Sequence, residues 1–293
     1  MEQTSNKLAI RHISDATDEI LSYINHRRHG YIRSLRTRWP KFNKQCMGGI
    51  EANTIYSICG ISGSGKSSFA NSLETDLFEL NPNEEFVVLN FNYEMLSSRQ
   101  VGRKLSYKLN KTTSELYSAS NTDDTYKVSD LTYGEILLQA EKIKQYKIYY
   151  VDCPSTVEEM RQTILSFHNS EEMKNKWLIV ILDHTLLTRG KAADSEREII
   201  SSLQRMFMEI KKYGKKTIIQ LSQLNRDIED KDRINNPNMH YPMRKDIFGS
   251  EAVYQTSDYV IILHRPEILH IEEYGPKKLP VKNMIYMHIL DIK

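Results

Sequence analysis

Gly60-Ile61-Ser62-Gly63-Ser64-Gly65-Lys66-Ser67 forms a complete G-x-x-x-x-G-K-[ST] phosphate-binding loop, and its flanks decide the fold. Before it, Thr54-Ile55-Tyr56-Ser57-Ile58-Cys59 is rich in β-forming residues; after it, residues 67–80 take up helical spacing. Strand, glycine loop and helix, in that order, is the setting the motif requires. The glycines let main-chain N–H groups approach phosphate oxygens without a Cβ in the way. Lys66 is placed to reach the β- and γ-phosphates and the Ser67 hydroxyl to sit on Mg²⁺, while the helix aims its positive end at the same anion. Gly60, Ser62, Gly63, Ser64, Gly65, Lys66 and Ser67, with Ser68 behind them, make the candidate nucleoside triphosphate site.

Strand candidates recur outward from this loop, at 86–92, 147–152, 177–183, 217–222, 259–264 and 284–290. Most are continuous apolar runs, the pattern of strands covered on both faces by helices. Between them lie helical stretches such as 157–168, opened by Pro154 and a Ser155-x-x-Glu158 capping box, and 194–213. Alternating strand and helix predicts an α/β fold with a doubly wound, mainly parallel sheet. Residues 277–292 read as a hairpin or edge strand, and 110–131 as a polar surface excursion. The segment 226–247 is charged and too long for an inert connection, so it is a candidate functional loop.

The N-terminal part reads differently. Residues 14–30 carry complete helix punctuation: Ser14 as cap, Asp15, Asp18 and Glu19 early, Arg27, Arg28 and His29 late, Gly30 as the stop. Its stripe of Ala16, Ile20 and Ile24, with Leu21 and Tyr23 beside it, is narrow and suits docking onto another surface. Residues 24–50 hold Arg27, Arg28, Arg33, Arg36, Arg38, Lys41 and Lys44 with no Asp or Glu. A basic solvated segment is the commoner explanation of such a run, and phosphate contact the alternative.

The chain has 293 residues, 40% of them hydrophobic, enough for one large α/β domain or two small ones. No apolar run approaches the ~20 residues that span a bilayer, and the first six residues are polar. Cys46, Cys59 and Cys153 are far apart, which favours reduced thiols over a disulfide or metal site. A net charge of +2 does not by itself announce nucleic acid.

Four further features bear on the chemistry. The apolar strand Leu178-Ile179-Val180-Ile181-Leu182 ends in Asp183, a candidate second metal position opposite Ser67. Glu94 lies just past the strand that follows the phosphate-loop helix, where a carboxylate can polarise an attacking water. Gln223 closes a strand in Leu221-Ser222-Gln223-Leu224-Asn225-Arg226 and can hydrogen-bond a γ-phosphate. Arg244 and Lys245 precede Gly249 in a basic, Gly-containing turn that can grip a sugar-phosphate backbone.

The ordered series GISGSGKS, NYEM, LIVILDH, LSQLNR and RKDIFGSEAVYQTSDYVIILHRPE resembles the C-terminal motor domain of DnaB-type replicative helicases. The resemblance runs from about Arg36 to the C-terminus. It implies a RecA-like P-loop NTPase over 36–293, preceded by an N-terminal segment, 1–35, whose helix links neighbouring subunits. It implies ATP with Mg²⁺ as ligands, held by Lys66, Ser67 and Asp183, with Glu94 as catalytic base and Gln223 as γ-phosphate sensor. Arg265, in His264-Arg265-Pro266-Glu267, matches a position near the nucleotide. Arg244, Lys245 and Gly249 fall in the loop that contacts single-stranded DNA inside a hexameric ring, which moves 5′ to 3′ and unwinds duplex. The family's setting is the bacterial cytoplasm, with a phage-encoded origin suggested by the missing collar, primase or a helicase loader as partner and no membrane.

Departures from the family pattern are visible too. The sequence starts at the linker helix without a collar domain, and His184 stands where the family commonly has Tyr. The family's closing strand is followed by a Lys-x-Arg finger pair, and this sequence ends at Lys293. Two alternatives accompany the helicase reading: a RecA/RadA-type recombination ATPase forming filaments on DNA, and a non-motor ATP-dependent DNA-binding or regulatory protein.

Overall fold

A computed structural model describes residues 10–118, 128–174, 176–190 and 194–292. The chain opens with α1 (Ile13–Arg28) and α2 (Pro40–Gln45), then β1 (Thr54–Gly60) and α3 (Lys66–Leu80). There follow β2 (Phe86–Asn92), α4 (Ser97–Leu109), α5 (Thr113–Leu116), α6 (Asp130–Ile143) and β3 (Ile148–Val151). Next come α7 (Val157–His168), β4 (Trp177–Asp183), α8 (Glu196–Ile210) and β5 (Lys216–Gln223). The last elements are α9 (Lys231–Asn235), α10 (Ser250–Thr256), β6 (Tyr259–His264) and β7 (Tyr286–Ile292).

The seven strands form one sheet in the order β3-β2-β4-β5-β1-β6-β7. All pairings are parallel except β6 with β7. Parallel neighbours need crossovers, and helices supply them. The continuous apolar runs are explained by burial on both faces. In β4, Ile179 and Ile181 join Ala70, Leu73 and Leu77 of α3 in one core. Leu178, Val180 and Leu182 point the other way, into a second core with Met160 and Ile164 of α7 and Leu203, Phe207 and Ile210 of α8. The sheet is therefore doubly wound, as the sequence predicts. No helix among the described residues is long and apolar enough to cross a membrane.

Several boundaries shift, each for a local reason. The box opening α7 is Thr156 with Glu159, one residue later than predicted; the Ser155 hydroxyl is hydrogen-bonded to Tyr93 instead. α8 starts at a Ser195/Glu198 box and is shorter than the predicted 194–213. α1 begins at Ile13, where the His12 ring accepts from the Ser14 amide, so Ser14 lies inside the helix and does not cap it. β3 is four residues long, and β7 starts at Tyr286, as an antiparallel edge strand. The 110–131 excursion holds α5 and the start of α6; its residues 119–127 lie outside the described residues.

None of α1's residues is buried, and Ile13, Ile20, Leu21 and Ile24 are exposed. The helix is tied to the body by Arg27, which pairs with Glu51 at 2.5 Å and donates to the Met47 carbonyl at 3.0 Å. Leu35, assigned by sequence to the N-terminal segment, is fully buried and bridges Ile50. In the basic run, Arg38 pairs with Asp76, and the Arg36 amide donates to Asn81 at 2.8 Å. Two of its cations, Arg27 and Arg38, are thus structural ion-pair partners.

Candidate functional site

Four adjacent strands deliver the predicted residues to one end of the sheet. Parallel register sets Asn92 of β2 beside Asp183 of β4, and Gly60 of β1 beside Gln223 of β5. These are carboxyl ends of parallel strands, where open α/β sheets bind ligands. A cleft of about 220 Å³ opens there. The loop and α3 line it with Ser62, Gly63, Gly65, Lys66, Ser67 and Ser68; Glu94, Arg103, His184 and Gln223 come from elsewhere.

The loop's shape follows from its glycines. Gly65 precedes α3 at φ +94°, a left-handed conformation that L side chains rarely adopt. A Cβ on Gly60 would stand 2.3 Å from the Ser64 Oγ and 2.8 Å from the Leu263 carbonyl oxygen. Gly60 and Ser64 are buried beneath the loop and do not line the cleft. Lys66 Nζ donates to the Gly60 and Ile61 carbonyls at 2.7 and 2.9 Å. Those are replaceable partners for an ammonium that can turn to a phosphate. Burial pushes the Lys66 pKa down, opposed by Cys59 and by the carboxylates of Asp183 and Glu94.

Asp183 is buried, and burial pushes its carboxyl up to about 6. The Ser67 hydroxyl bond opposes that shift, the charge of Glu94 adds to it, and Lys66 and Arg103 oppose it. Its Oδ1 has no hydrogen-bond partner. An orphaned buried carboxylate oxygen beside a serine hydroxyl fits a hard cation. Among the described residues no group of three or more His, Cys, Asp or Glu could hold a metal. The pair Ser67 and Asp183 therefore suits Mg²⁺, which keeps waters and phosphate oxygens as its other ligands.

Glu94 sits on the turn after β2, exposed to the cleft. The turn is fixed by Tyr93 N, which donates to the Asp183 carbonyl at 3.0 Å, and by Asn92, which donates to the Met95 carbonyl. His184 also lines the cleft, and burial pushes its pKa down.

Gln223 links the cleft to the basic loop. Its carbonyl accepts from Phe248 N at 2.9 Å, and Leu224 bridges Ile247. Asn225 N donates to the Asp246 carbonyl at 2.7 Å and its side-chain amide to the Lys245 carbonyl at 2.7 Å. The loop itself is not loose. Arg233 and Asp246 form a buried bidentate ion pair at 2.7 and 2.6 Å, and Arg233 also donates to the Met239 and Tyr241 carbonyls. Lys245 and Gly249 line a second cleft of about 430 Å³ together with Arg197 of α8. Arg244 pairs with Glu251 at 3.3 Å and lies 3.9 Å over the Tyr254 ring.

Arg265 is not among the residues lining the nucleotide cleft; it pairs with Glu267 at 3.1 Å. Its neighbour Ile268 does abut the loop, with Cδ1 3.3 Å from where a Cβ on Gly63 would stand. Arg103, Arg197 and Arg233 were missed by the sequence reading. For Arg103 a signal existed: α4 turns polar residues, Gln100 and Lys104, to its covered side.

The family model described as DnaB-like helicase C terminal domain matches residues 34–288. The chain is 23% identical over 288 residues to the replicative DNA helicase DnaC of Bacillus subtilis (strain 168), covering 97% of this chain and 58% of that protein. It is 27% identical over 179 residues to the replicative DNA helicase DnaB of Mycobacterium leprae (strain TN), covering 60% and 27% respectively. The match thus spans 58% of the length of the first of these relatives and 27% of the second. Among solved structures, the ATPase domain of G40P superposes with a TM-score of 0.71 at 17% identity, over 94% of this chain and 98% of that one. A DnaB-like replicative helicase, described with its interactions with primase, gives 0.71 at 16% identity over 99% and 66%. A KaiC-like protein from Pyrococcus horikoshii OT3 gives 0.51 at 16% identity over 89% of each chain. At these identities the structural likeness establishes a shared fold.

Proposed function

The chain belongs to the DnaB-like helicase C-terminal domain family, and from that premise we propose that it is an ATP-hydrolysing motor that translocates on single-stranded DNA and unwinds duplex DNA. The observation that carries the reading is the direct hydrogen bonding between Gln223, at the nucleotide cleft, and the basic loop at 244–249. A motor needs such a coupling, whereas a passive nucleotide-binding protein does not.

In this reading the N–H groups of the loop and Lys66 hold the triphosphate, while Ser67 and Asp183 hold Mg²⁺. When bound, the ion neutralises phosphate charge. Glu94 accepts a proton from the attacking water. Gln223 senses the γ-phosphate and moves the loop whose Arg244, Lys245 and Gly249 contact the DNA backbone. The exposed apolar residues of α1 support its docking on a neighbouring copy, in the hexameric ring that the family implies. The division into a linker segment, 1–35, and a motor body, 36–293, belongs to the same proposal, as does a bacterial cytoplasmic setting.

Steady-state hydrolysis with and without single-stranded DNA tests this. Wild type should turn over ATP faster with DNA, and Lys66→Ala should show none; equal rates for the two proteins would sink the motor. DNA-free rings in electron micrographs, as against DNA-dependent filaments, separate the helicase from the recombination ATPase.

The basic loop gives its own prediction. Arg244→Ala with Lys245→Ala should weaken single-stranded DNA binding and reduce the salt slope by about one unit per lost phosphate contact. Lys245 alone should account for the larger part, because Arg244 is engaged with Glu251 and Tyr254. Binding titrations between low and moderate salt check this, and an unchanged slope removes the loop from the DNA site.

A further inference from the structure

We infer that Arg103 is a catalytic residue of the same subunit, a cation whose guanidinium contacts the terminal phosphate of the bound triphosphate; this rests on the ATPase reading above. Arg103 is half-buried and lines the nucleotide cleft together with Lys66, Ser67 and Glu94. Its charge is felt at the Asp183 carboxyl, which it favours in the ionised form. Among the described residues no carboxylate pairs with Arg103 and no side chain or carbonyl accepts from it. A partly withdrawn guanidinium with five donors normally has a partner, and what the cleft offers it is an anion.

The surrounding structure fixes the helix that carries the side chain. α4 is held against α3 and β2 by a buried polar network. Asn71 Nδ2 donates to Gln100 Oε1 at 2.8 Å, and Gln100 Nε2 donates to Asn92 Oδ1 at 2.9 Å. Lys104 is ion-paired with Glu74, to which Asn90 also donates. Gly102 admits Tyr117 so closely that a Cβ would overlap its hydroxyl. Gln100 and Arg103 are three residues apart, on one face of the helix, and Lys104 follows at once. Anchors on either side thus set the height and rotation at which Arg103 enters the cleft. A second depression, about 470 Å³, is lined by the same arginine with Ser68, Asn71 and Ser72.

The chemistry needs such a group. Water attacks the γ-phosphorus and gives a proton to the Glu94 carboxylate. The bond from that phosphorus to the β–γ bridging oxygen breaks, and its electron pair leaves with ADP. The products are ADP and inorganic phosphate. Charge is spread over the γ-phosphoryl oxygens during transfer. A planar guanidinium donates to two such oxygens at once and stays charged throughout.

The test compares wild type, Arg103→Ala, Arg103→Lys and Lys66→Ala by steady-state hydrolysis, by calorimetric binding of ATP and of ADP, and by thermal unfolding. Arg103→Ala should lower kcat by about 100-fold, the effect of removing one preorganised donor. It should also lower the preference for ATP over ADP by about tenfold, as one charge-assisted bond would. ADP affinity and melting temperature should not change, because no protein group loses a partner. Arg103→Lys should recover part of kcat. A kcat and an ATP:ADP preference both within twofold of wild type overturn the inference, as does equal loss of ATP and ADP binding with a lowered melting temperature. If wild type hydrolyses ATP and Lys66→Ala does not, that failure is confined to Arg103. If wild type neither binds nor hydrolyses ATP, the ATPase reading fails and takes the inference with it.

Discussion

Replacing Glu94 with glutamine is expected to lower ATP turnover by about 10²–10⁴-fold, the contribution of a positioned general base. The amide keeps the side chain's length and shape but cannot take a proton at neutral pH. Glu94 is exposed to the cleft, and the turn that carries it is fixed by main-chain bonds of Tyr93 and by Asn92. The substitution should therefore leave that turn in place. ATP affinity should stay within about threefold of wild type, below the tenfold that 1.4 kcal/mol gives, and folding stability should not fall. The measurement is hydrolysis beside equilibrium binding of the same nucleotide. Turnover within tenfold of wild type would remove Glu94 as the base and direct the search to His184, whose imidazole also lines the cleft.

The second large effect concerns stability. Lys104 is fully buried and Glu74 is 1% exposed, and they are ion-paired between α4 and α3. Lys104→Ala leaves the Glu74 carboxylate in the core, with the Asn90 amide as its remaining side-chain partner. Removing one member of a buried pair costs roughly 3–5 kcal/mol. Lys104→Met combined with Glu74→Leu should recover most of that loss, since neither charge then needs solvating. Denaturant unfolding of the three proteins decides the matter, and a loss below about 1 kcal/mol for Lys104→Ala would mean that water reaches the pair. The double variant should fold yet hydrolyse ATP slowly, because α4 also carries Arg103 into the cleft.

Much of this was legible in the chain. Residues 60–67 announce a phosphate site because a tight loop between strand and helix needs glycine at fixed places, and in the structure Gly65 takes a left-handed conformation. The strands were legible from their apolar runs, and their bounds in β2, β4 and β6 fall where the sequence put them. The end of α1 and the cap of α7 were misplaced by a residue or two. Capping is decided by which hydroxyl is left unengaged, and Ser155 is taken by Tyr93 from 62 residues away.

The site divides in the same way. Lys66, Ser67, Glu94, Asp183 and Gln223 each follow a local signal, namely a motif or a strand end. Arg233 follows none and Arg103 only the weak one of a helix with polar residues on its covered side, because what makes them matter is position across the fold. One lines the cleft from a helix anchored to two other elements, and the other pairs inside a segment that reads as a loop. Arg265 shows the converse, since its sequence position suggested the nucleotide and its guanidinium is engaged by Glu267.

By itself, then, the sequence determined the doubly wound α/β class, the phosphate loop and the residues at the strand ends, because periodicity and glycine placement act over a few residues. Only the tertiary structure decided that Asp183 is buried with an orphaned oxygen, that Gln223 is bonded to the basic loop, and that an arginine from α4 faces the phosphate loop. Those depend on strand register and on desolvation, which arise when segments far apart in the chain are packed together.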